Sequence, residues 1–391
     1  MKWQNKGHEF DQVYNSIKEK TKYYLFGAGE YGQVIYNLFN KEIHIEGFID
    51  NNKGKQNKIY NDKKVLALEA LDNNAEDIGI IITISPNTRL PIVKQLFEKG
   101  YVLNKNVFTM ETFMSVYQVY ENNKVYFPSV SFLPSTRCNL NCECCLNFTP
   151  YMKDFDEREW EKIIEDVDTF FKCVDYIMLF HISGGEPLLY PRIGELVEYI
   201  STHYGHKIYC LRTVTNGTIV PSDELLHKLS QYKLDITVDD YRQAVPSSSE
   251  KFDRLLRKLE SFNIPYHINK AEQWIDLAPF KTDHYKWSEE QLCRHFDSCH
   301  VPWQELRNKK LYSCNYASYA IVAEIIEETE EEVYDLSKFN EEHKKELVEF
   351  RMGYNPKGYV EFCKRCSGYM DVNPNIVEPA KQKIRSKSSG N

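Results

Sequence analysis

The segment Cys138-Asn-Leu-Asn-Cys142-Glu-Cys-Cys145 indicates the fold class most directly. Three of its thiols have the spacing C-x3-C-x2-C, in a loop that follows the apolar run 130–133. Such short spacings let one loop direct several sulfur atoms at a common point, which a metal centre requires and a disulfide does not. Because the loop supplies three ligands, a tetrahedral iron or zinc would keep one position open, as catalytic centres do. The pattern predicts a catalytic metal centre on Cys138, Cys142 and Cys145; the alternative is a structural zinc site.

Length and composition predict a cytoplasmic protein of two or three domains. The chain has 391 residues, a formal net charge of -8 and a pI near 5.8, which argues against nucleic acid as a partner. Residues 1–20 lack the apolar core of a signal peptide, and no apolar run is long enough to span a membrane. In a cytoplasmic protein the eleven cysteines are expected to be metal ligands and free thiols. Cys173 and Cys210 lie in apolar surroundings and are predicted to be buried thiols.

Downstream of the cysteine loop, polar motifs follow predicted strands. Residues 176–182 form a predicted strand that ends in Ser183-Gly-Gly-Glu-Pro187, and the strand 208–214 ends in Thr215-Asn216. The strand 234–239 alternates, which directs Asp235, Thr237 and Asp239 to one face. Carboxylates at the carboxyl ends of parallel strands face the mouth of an α/β barrel, where active sites lie. His267, on the last predicted strand of this series, is either a substrate contact or a structural histidine.

The cysteine loop and the Gly-Gly-Glu-Pro turn together resemble the radical SAM enzymes. In that family C-x3-C-x2-C holds a 4Fe–4S cluster whose open iron binds S-adenosylmethionine, which implies Cys138, Cys142 and Cys145 as ligands. The residue before the third cysteine is usually aromatic in the family. Here it is Cys144, which could compete as a ligand.

The same resemblance implies the residues that bind the cofactor. Gly184 and Gly185 would approach the methionine moiety, Glu186 would bind its ammonium group, and Asp239 or Asp240 would contact the ribose. The complete implied set comprises Gly184, Gly185, Glu186, Pro187, Thr215, Asn216 and Asp239. The alternative for the glycine motif is a plain strand-to-helix turn.

The first 110 residues alternate between predicted strands and helices. Strands are predicted at 23–26, 43–50, 78–85 and 102–108, with helices ending near 40 and spanning 90–99. Gly27, Gly29 and Gly32 match G-x-G-x-x-G between a strand and a helix, and Asp50 ends the second strand, where an acid can accept a ribose hydroxyl. The segment resembles the Rossmann-like N-terminal domains of bacterial sugar-modifying and surface-polysaccharide proteins. It is predicted either to bind NAD or a sugar nucleotide or to keep the fold without a ligand.

The last third of the chain carries a second set of thiols. Cys299 precedes a predicted hairpin over 307–314, Cys314 follows it, and Cys363 and Cys366 form a C-x2-C pair beyond a helix predicted at 341–352. This arrangement resembles the twitch or SPASM-type extension of some radical SAM enzymes, where four thiols bind an auxiliary 4Fe–4S cluster. Cys293 is the surplus thiol and could exchange roles with Cys299. The alternative is a zinc site that staples the domain.

The predicted fold class is α/β with three domains. The domains are a Rossmann-like parallel sheet over 1–115, a partial (βα)6 TIM barrel over 128–285 and a small cysteine-rich domain over 286–370. A linker over 116–127 joins the first two, and a flexible tail follows over 371–391.

By resemblance the protein is expected to cleave S-adenosylmethionine and to abstract hydrogen from a sugar or sugar nucleotide, with dehydrogenation, epimerisation or deamination as the outcome. A low-potential donor such as flavodoxin or ferredoxin would supply the electron. The alternatives are a peptide-modifying maturase and a non-catalytic iron–sulfur or zinc protein.

Overall fold

The computed structural model describes residues 1–73, 75–152, 157–299, 303–369 and 372–383. The chain divides into two compact units. The smaller unit comprises Asn5–Tyr126 and Lys344–Glu349, and the larger unit comprises Met1–Gln4, Phe127–His343 and Phe350–Asn391. None of the helices in the described ranges is both long enough and apolar enough to cross a membrane.

The smaller unit is an α/β sheet flanked by helices. Its elements in chain order are α1 (Asp11–Lys18), β1 (Lys22–Phe26), α2 (Glu30–Phe39), β2 (Ile45–Ile49), β3 (Ile59–Tyr60), β4 (Lys63–Leu66), β5 (Ile78–Ile82), α3 (Leu90–Glu98), β6 (Val107–Thr109) and α4 (Met110–Glu121). The strand order is β3-β4-β2-β1-β5-β6, and every pair except β3–β4 is parallel. The first strand therefore lies in the middle of the sheet, with later strands added on both sides.

The apolar strands explain why this sheet is buried on both faces. All five residues of β5 are buried, and Leu25, Phe48 and Ile80 have no exposed surface. Parallel strands that helices cover on both faces have continuous apolar sequences. The strand predicted at 102–108 is limited to Val107–Thr109, because the preceding residues form a turn around Asn104, whose φ is 62°.

The prediction of a linker over 116–127 is wrong. Thr109 caps α4 by accepting a hydrogen bond from the Thr112 amide at 3.2 Å, and the helix continues to Glu121. Phe113, Val116 and Tyr117 are buried, and Phe113 packs against Phe39 with ring centroids 5.2 Å apart. The aromatic rings of this segment supply the buried face of a helix instead of a linker.

The larger unit contains the second sheet. Its elements are β7 (Tyr126–Phe132), α5 (Trp160–Cys173), β8 (Tyr176–Ile182), α6 (Ile193–Tyr204), β9 (Ile208–Thr215), α7 (Asp223–Leu229), β10 (Leu234–Asp239), α8 (Ser249–Ser261), β11 (Tyr266–Asn269), β12 (Trp274–Ile275), α9 (Glu289–Ser298), β13 (Glu305–Arg307), β14 (Lys310–Tyr312), α10 (Asn315–Val322), β15 (Val333–Asp335) and β16 (Ile376–Val377). Most of α11 (Lys344–Arg351) belongs to the smaller unit, which contains Lys344–Glu349.

The second sheet has the order β11-β10-β9-β8-β7-β13-β14-β15. The strands from β8 to β11 are parallel to one another, and β13 is parallel to β7. Phe180 on β8 packs against Phe170 and Phe171 of α5, which covers one face of the sheet. The opposite face, called here the polar face, carries Asp235 and Asp239. A mixed α/β fold with parallel sheets is thus confirmed.

The polar face follows the alternation read from the sequence. On β10, Leu234, Ile236 and Val238 are at most 1% exposed, while the alternate residues Asp235, Thr237 and Asp239 are partly exposed. The hairpin prediction is also confirmed: β13 and β14 pair across Asn308 and Lys309, whose φ values of 52° and 58° are those of a tight hairpin turn.

The prediction of a flexible tail over 371–391 is wrong for the described residues 372–383. Strand β16 pairs with β12, and the chain then runs alongside the cysteine loop. The Glu143 amide donates to the Lys381 carbonyl at 2.8 Å, and the Lys383 amide donates to the Asn141 carbonyl at 2.7 Å. The composition of the tail favours disorder, whereas backbone hydrogen bonds of this kind leave no pattern in the sequence from which they could be predicted. The rest of the predicted tail lies outside the described residues.

Candidate active site

The cysteine loop begins where β7 ends, and it brings the three predicted ligands into one electrostatic environment. Burial raises the pKa of Cys138 and of Cys142 to about 12. Cys145 adds a smaller contribution to both, and Cys142 adds one to Cys138, as expected for thiols on one short loop. Thiolates in such a place require a positive centre, which the irons of a cluster provide.

Hydrogen-bond donors surround these sulfur atoms. The Leu140 amide donates to Cys138 Sγ at 3.4 Å, and Asn216 Nδ2 lies 3.8 Å from the same atom. Gln382 Nε2 donates to Cys142 Sγ at 3.3 Å. Donors to sulfur stabilise the thiolate form and tune the reduction potential of iron–sulfur clusters. Three thiols on one loop, two of them with amide donors, therefore fit a cluster. The sequence did not point to Gln382, because it lies 240 residues from Cys142.

Cys144 lines a cavity of about 250 Å³ together with Glu143, Asp276, Phe280 and Lys281. Burial and then the charge of Asp276 raise the pKa of Cys144. The residue that departs from the family pattern thus lies at the wall of this cavity, beside Asp276.

The Gly-Gly-Glu turn after β8 is held directly against the cysteine loop. The Gly185 amide donates to the Ser135 carbonyl at 3.1 Å, and the Glu186 amide donates to the Arg137 carbonyl at 2.7 Å. A Cβ on Gly185 would lie 2.3 Å from the Thr136 carbonyl oxygen, so only glycine permits this approach. Asn147, which the sequence reading missed, donates through Nδ2 to the Gly184 carbonyl. Pro187 begins a short 3₁₀ turn.

Glu186 is a buried carboxylate at the centre of the site. It is 2% exposed and accepts hydrogen bonds from the Leu188 amide at 3.1 Å and the Asn216 amide at 2.8 Å. Burial raises its pKa to about 7, with a smaller contribution from the charge of Asp239. The Thr215 side chain is a third donor to Glu186. A carboxylate offers about four acceptor positions, so one remains for a ligand. A cationic ligand such as an ammonium group would stabilise its charged form.

The ends of β9 and β10 complete this edge of the sheet. Asn216 donates through Nδ2 to Asn139 Oδ1 at 3.0 Å, which ties the end of β9 to the cysteine loop, and Thr215 is 1% exposed beside it. Asp239 accepts from Asn269 Nδ2 and from the Tyr241 hydroxyl, both at 2.7 Å, and burial raises its pKa.

Asp240, the other candidate for the ribose contact, is engaged elsewhere. Arg242 donates to its two carboxylate oxygens through Nε and Nη2, both at 2.8 Å, and this pairing lowers the pKa of Asp240. Of the two neighbouring acids, Asp239 has the position that suits a cofactor at this edge.

The second set of thiols gathers in one apolar core of the larger unit. Cys314, Cys363 and Cys366 belong to one cluster of buried side chains, which also contains Leu277 and Phe362. Cys299 is 9% exposed, and after burial its pKa is raised mainly by Cys314 and Cys366.

Cys293 is separate from this set. Its Sγ lies 3.4 Å from the Lys357 carbonyl, and the charges that act on it come from Asp297, Glu289, the N-terminus and Lys2. Cys173 is buried as predicted, whereas Cys210 is only partly buried and lies 3.9 Å from Asp235.

The end of the cysteine loop packs into the apolar core that contains the second set of thiols. Phe148, three residues after Cys145, contacts Phe362 with ring centroids 5.5 Å apart. Its φ is 57°, in the left-handed region that a bulky residue rarely adopts, and such strain costs about 1–3 kcal/mol. Within the described residues no group of three or more Cys, His, Asp or Glu is arranged to hold a single metal ion. A cubane cluster binds each cysteine through a different iron. The lack of a single-ion site among the described residues is therefore compatible with clusters.

In the smaller unit the glycine loop contacts the predicted acid directly. Asp50 accepts from the Ala28 amide at 3.0 Å and from Lys55 Nζ at 3.1 Å. Gly27 has φ 124°, and a Cβ on Gly32 would lie 2.2 Å from the Gly27 carbonyl oxygen, so the helix packs closely against the turn. A Cβ on Gly29 would meet nothing within 4 Å. The loop therefore has open space at Gly29, and Asp50 already holds the loop through its hydrogen bond from the Ala28 amide.

Two family models match the chain. The model of the radical SAM superfamily matches residues 132–268, which include the cysteine loop, the Gly-Gly-Glu turn and β8 to β10. The chain contains a radical SAM domain. The model described as C2185-like, N-terminal, matches residues 19–107. No curated protein matches the chain.

The radical SAM domain confirms the enzyme class and its two main cofactors, a 4Fe–4S cluster and S-adenosylmethionine. The three thiols, the Gly-Gly-Glu turn and Asp239 all fall within the matched residues. The auxiliary thiols do not.

Several solved structures are similar to parts of the chain. They include "Native anSMEcpe with bound AdoMet and Cp18Cys peptide" (19% identity, TM-score 0.29, covering 36% of this chain and 42% of that chain). SuiB of Streptococcus suis has 19% identity and a TM-score of 0.30, with 52% of this chain and 42% of that chain covered. BtrN in complex with AdoMet and 2-DOIA has 13% identity and a TM-score of 0.36, with 63% and 94% covered. The chain thus spans less than half the length of the first of these structures, and likenesses this weak support no argument about substrate.

Proposed function

We propose that the protein cleaves S-adenosylmethionine at a 4Fe–4S cluster held by Cys138, Cys142 and Cys145 and abstracts hydrogen from a sugar or sugar nucleotide. The observation that carries the first part is the direct hydrogen bonding between the cysteine loop and the Gly-Gly-Glu turn. A structural zinc loop has no need of a buried carboxylate beside it. The chemistry that such a cluster supplies when S-adenosylmethionine is bound is one-electron cleavage of the C5′–S bond to a 5′-deoxyadenosyl radical.

The protein's own residues hold and orient the cofactor. Gly184 and Gly185 permit close approach of the methionine moiety, and Glu186 accepts hydrogen bonds from its ammonium group. Thr215, Asn216 and Pro187 shape the same edge, and Asp239 accepts a ribose hydroxyl. Fixed orientation of this kind places the reactive carbon next to the target hydrogen and excludes water, which is the protein's contribution to cofactor chemistry.

Cys299, Cys314, Cys363 and Cys366 hold an auxiliary 4Fe–4S cluster in this proposal, within a twitch- or SPASM-like domain. The support is their common apolar surroundings and the separate position of Cys293. A zinc ion at these four thiols is the rival. When bound, such a cluster would supply either an electron acceptor, which favours net oxidation, or a site that ligates the substrate directly.

The sugar substrate rests on the smaller unit. A strand, a glycine loop and a helix with open space at Gly29 form the type of turn that receives a nucleotide diphosphate, in a Rossmann-like arrangement. NAD is the other ligand that such a turn would take. A peptide-modifying maturase is the second candidate function, and a non-catalytic iron–sulfur protein is the third. The protein is expected to be cytoplasmic and to receive electrons from a flavodoxin or ferredoxin.

The proposal is tested with anaerobically reconstituted protein, dithionite and S-adenosylmethionine. Formation of 5′-deoxyadenosine is expected, and it should require Cys138, Cys142 and Cys145. A protein that contains a cluster but forms no 5′-deoxyadenosine would exclude the enzyme and leave the non-catalytic function.

A further inference from the structure

A row of polar side chains crosses the polar face of the second sheet, below the residues assigned to the cofactor. His181 on β8 is paired in register with Arg212 on β9, and Arg212 with Asp235 on β10. His267 on β11 completes the row, with Nε2 3.3 Å from Asp235 Oδ1. Four adjacent parallel strands thus each contribute one hydrogen-bonding side chain. These four residues are called the polar row.

The polar row lies on the same face as the cofactor residues but deeper. Arg212 precedes Asn216 by four residues and Asp235 precedes Asp239 by four, which corresponds to about 13 Å along a strand. The interior of a parallel α/β barrel is ordinarily filled by layers of branched apolar side chains. A charged layer at this depth therefore requires a polar partner.

Two atoms of the polar row have unmet hydrogen-bonding capacity. Among the described residues, His181 Nδ1 and Asp235 Oδ1 are buried and have no hydrogen-bond partner. His267 is within ion-pair distance of Asp235 Oδ1, but its side chain is 70% exposed and can move. A buried polar atom without a partner is unfavourable, and a bound ligand with matching groups would satisfy it.

The charge balance of the polar row restricts the ligand. Arg212 donates through Nε to Asp235 Oδ2 at 2.6 Å, so the two formal charges offset each other. Burial, and then the charge of Arg212, lowers the pKa of His181 to about 4, which keeps its imidazole neutral at physiological pH. A phosphate or carboxylate needs cationic donors without an anionic partner, so an anionic group is not the ligand favoured here.

A hydroxyl group matches this layer because it donates and accepts at once. The row offers an acceptor on Asp235 and, on His181, an imidazole that can act in either way. Trp303 stands next to His181 with ring centroids 5.4 Å apart and adds a flat apolar surface at the side. A ring with several hydroxyls on its edge and C–H groups on its face presents both kinds of surface.

We infer that the polar row, with Trp303, binds the hydroxyl-bearing ring of a neutral sugar and so determines the substrate class. The inference rests on the proposed function and deepens it, since it assigns the sugar ring to this face of the second sheet. The nucleotide part of a sugar nucleotide would not be bound by the polar row.

The test uses hydrogen transfer, because only a ring held beside the cofactor can exchange hydrogen with it. The reconstituted holoenzyme is given dithionite, S-adenosylmethionine and one of four probes deuterated on the hexose: UDP-glucose, UDP-galactose, UDP-N-acetylglucosamine or GDP-mannose. Deuterium per 5′-deoxyadenosine formed is measured by mass spectrometry. The wild-type protein is expected to transfer deuterium from at least one probe.

The variants are His181→Phe, which keeps a ring of similar size, and His267→Gln at the exposed end of the row. Each is expected to lower the deuterium ratio at least about tenfold, because each removes a hydrogen bond to the bound ring. Tyr209→Phe, on the opposite face of β9, is the control and should leave the ratio unchanged. Iron content and circular dichroism verify that each variant is folded.

Three results would overturn the inference. They are 5′-deoxyadenosine without deuterium from any probe, unchanged ratios in both variants, and loss of all 5′-deoxyadenosine in both folded variants, which would make the row structural. Deuterium transfer from a labelled peptide instead of a sugar would also overturn it. Failure of the wild-type protein to form any 5′-deoxyadenosine would instead refute the proposed function, and the inference with it.

Discussion

Single residues in the cysteine loop have different roles although they are neighbours. Cys142 is 8% exposed, accepts a hydrogen bond from Gln382 and shares its environment with Cys145. Cys144, two residues later, faces the cavity beside Asp276. The adjacent thiols Cys144 and Cys145 therefore allow ligand and non-ligand to be compared within one loop.

We predict that Cys142→Ala lowers 5′-deoxyadenosine formation at least about 100-fold, because a cluster that loses a thiolate ligand is no longer held. Cys144→Ala, the matched control, should retain activity within about twofold, since a change at a cavity wall away from the ligands leaves them in place. The activity is measured anaerobically together with iron content. Equal loss of activity in both variants would show that the ligands have been assigned wrongly.

The buried carboxylate Glu305 is a second residue whose charge state matters. It has no exposed surface, and it accepts from the Leu133 amide at 2.8 Å and from the Tyr319 hydroxyl at 3.1 Å. Burial raises its pKa to about 7. A carboxyl group whose pKa is higher in the folded than in the unfolded chain binds more protons when folded, so stability falls as the pH rises between the two values.

We therefore predict that the free energy of unfolding of the wild-type protein falls between pH 6 and 8, relative to Glu305→Gln, by about 1 kcal/mol. Anaerobic urea unfolding at several pH values measures the difference. Glu186, whose pKa is also about 7, affects the stability of both proteins equally, so its contribution cancels in the difference between them. Parallel stability curves would mean that Glu305 is ionised throughout this range.

At the scale of structural elements, backbone hydrogen bonds join the turn after β8 to the loop after β7. Their two backbone hydrogen bonds require that the chains approach at Gly185, where a Cβ would lie 2.3 Å from the Thr136 carbonyl oxygen. At Gly184 the corresponding distance to the Ser135 carbonyl oxygen is 3.3 Å, which small adjustments can relieve.

We predict that Gly185→Ala separates the turn from the cysteine loop and lowers the iron bound at the first site, with a destabilisation of about 1–3 kcal/mol. Gly184→Ala, the adjacent control, should bind iron as the wild type does. Iron analysis and anaerobic thermal unfolding check both variants. Normal iron content in Gly185→Ala would show that the close approach is not needed for cluster binding.

Elements with strong periodicity could be predicted from the sequence, and elements defined by distant contacts could not. The strands β8 and β10 have the predicted bounds, because apolar runs and clean alternation report burial directly. The predicted helix over 341–352 is shorter: a 3₁₀ turn at Glu341–His343 precedes α11. Helix α4 was missed because its buried face consists largely of aromatic residues, and β16 because only its pairing with β12 defines it.

The site shows the same division between local and distant signals. Spacing indicated Cys138, Cys142 and Cys145, and a motif indicated Glu186, since both are short-range patterns. Gln382 and Asn147 were missed, because each reaches the site through the folded chain.

At the scale of the whole molecule, the number and kind of metal centres distinguish the possible functions. Seven thiols lie in two groups, one on the cysteine loop and one in the core of the larger unit. We predict about eight irons per chain, as two cubane clusters require. Cys299→Ser should lower the count to about four, whereas Cys293→Ser should leave it unchanged. About four irons with one zinc in the wild-type protein would support a zinc site at the second group instead.

The central claim is that three thiolates leave one iron free to bind the amino and carboxylate groups of S-adenosylmethionine. The most direct measurement is electron–nuclear double resonance of the reduced cluster with S-adenosylmethionine labelled with ¹⁵N at the methionine amino group. We predict a ¹⁵N coupling in the wild-type protein. A reduced 4Fe–4S signal without this coupling at saturating cofactor would mean that the fourth iron is ligated by the protein, and it would contradict the account.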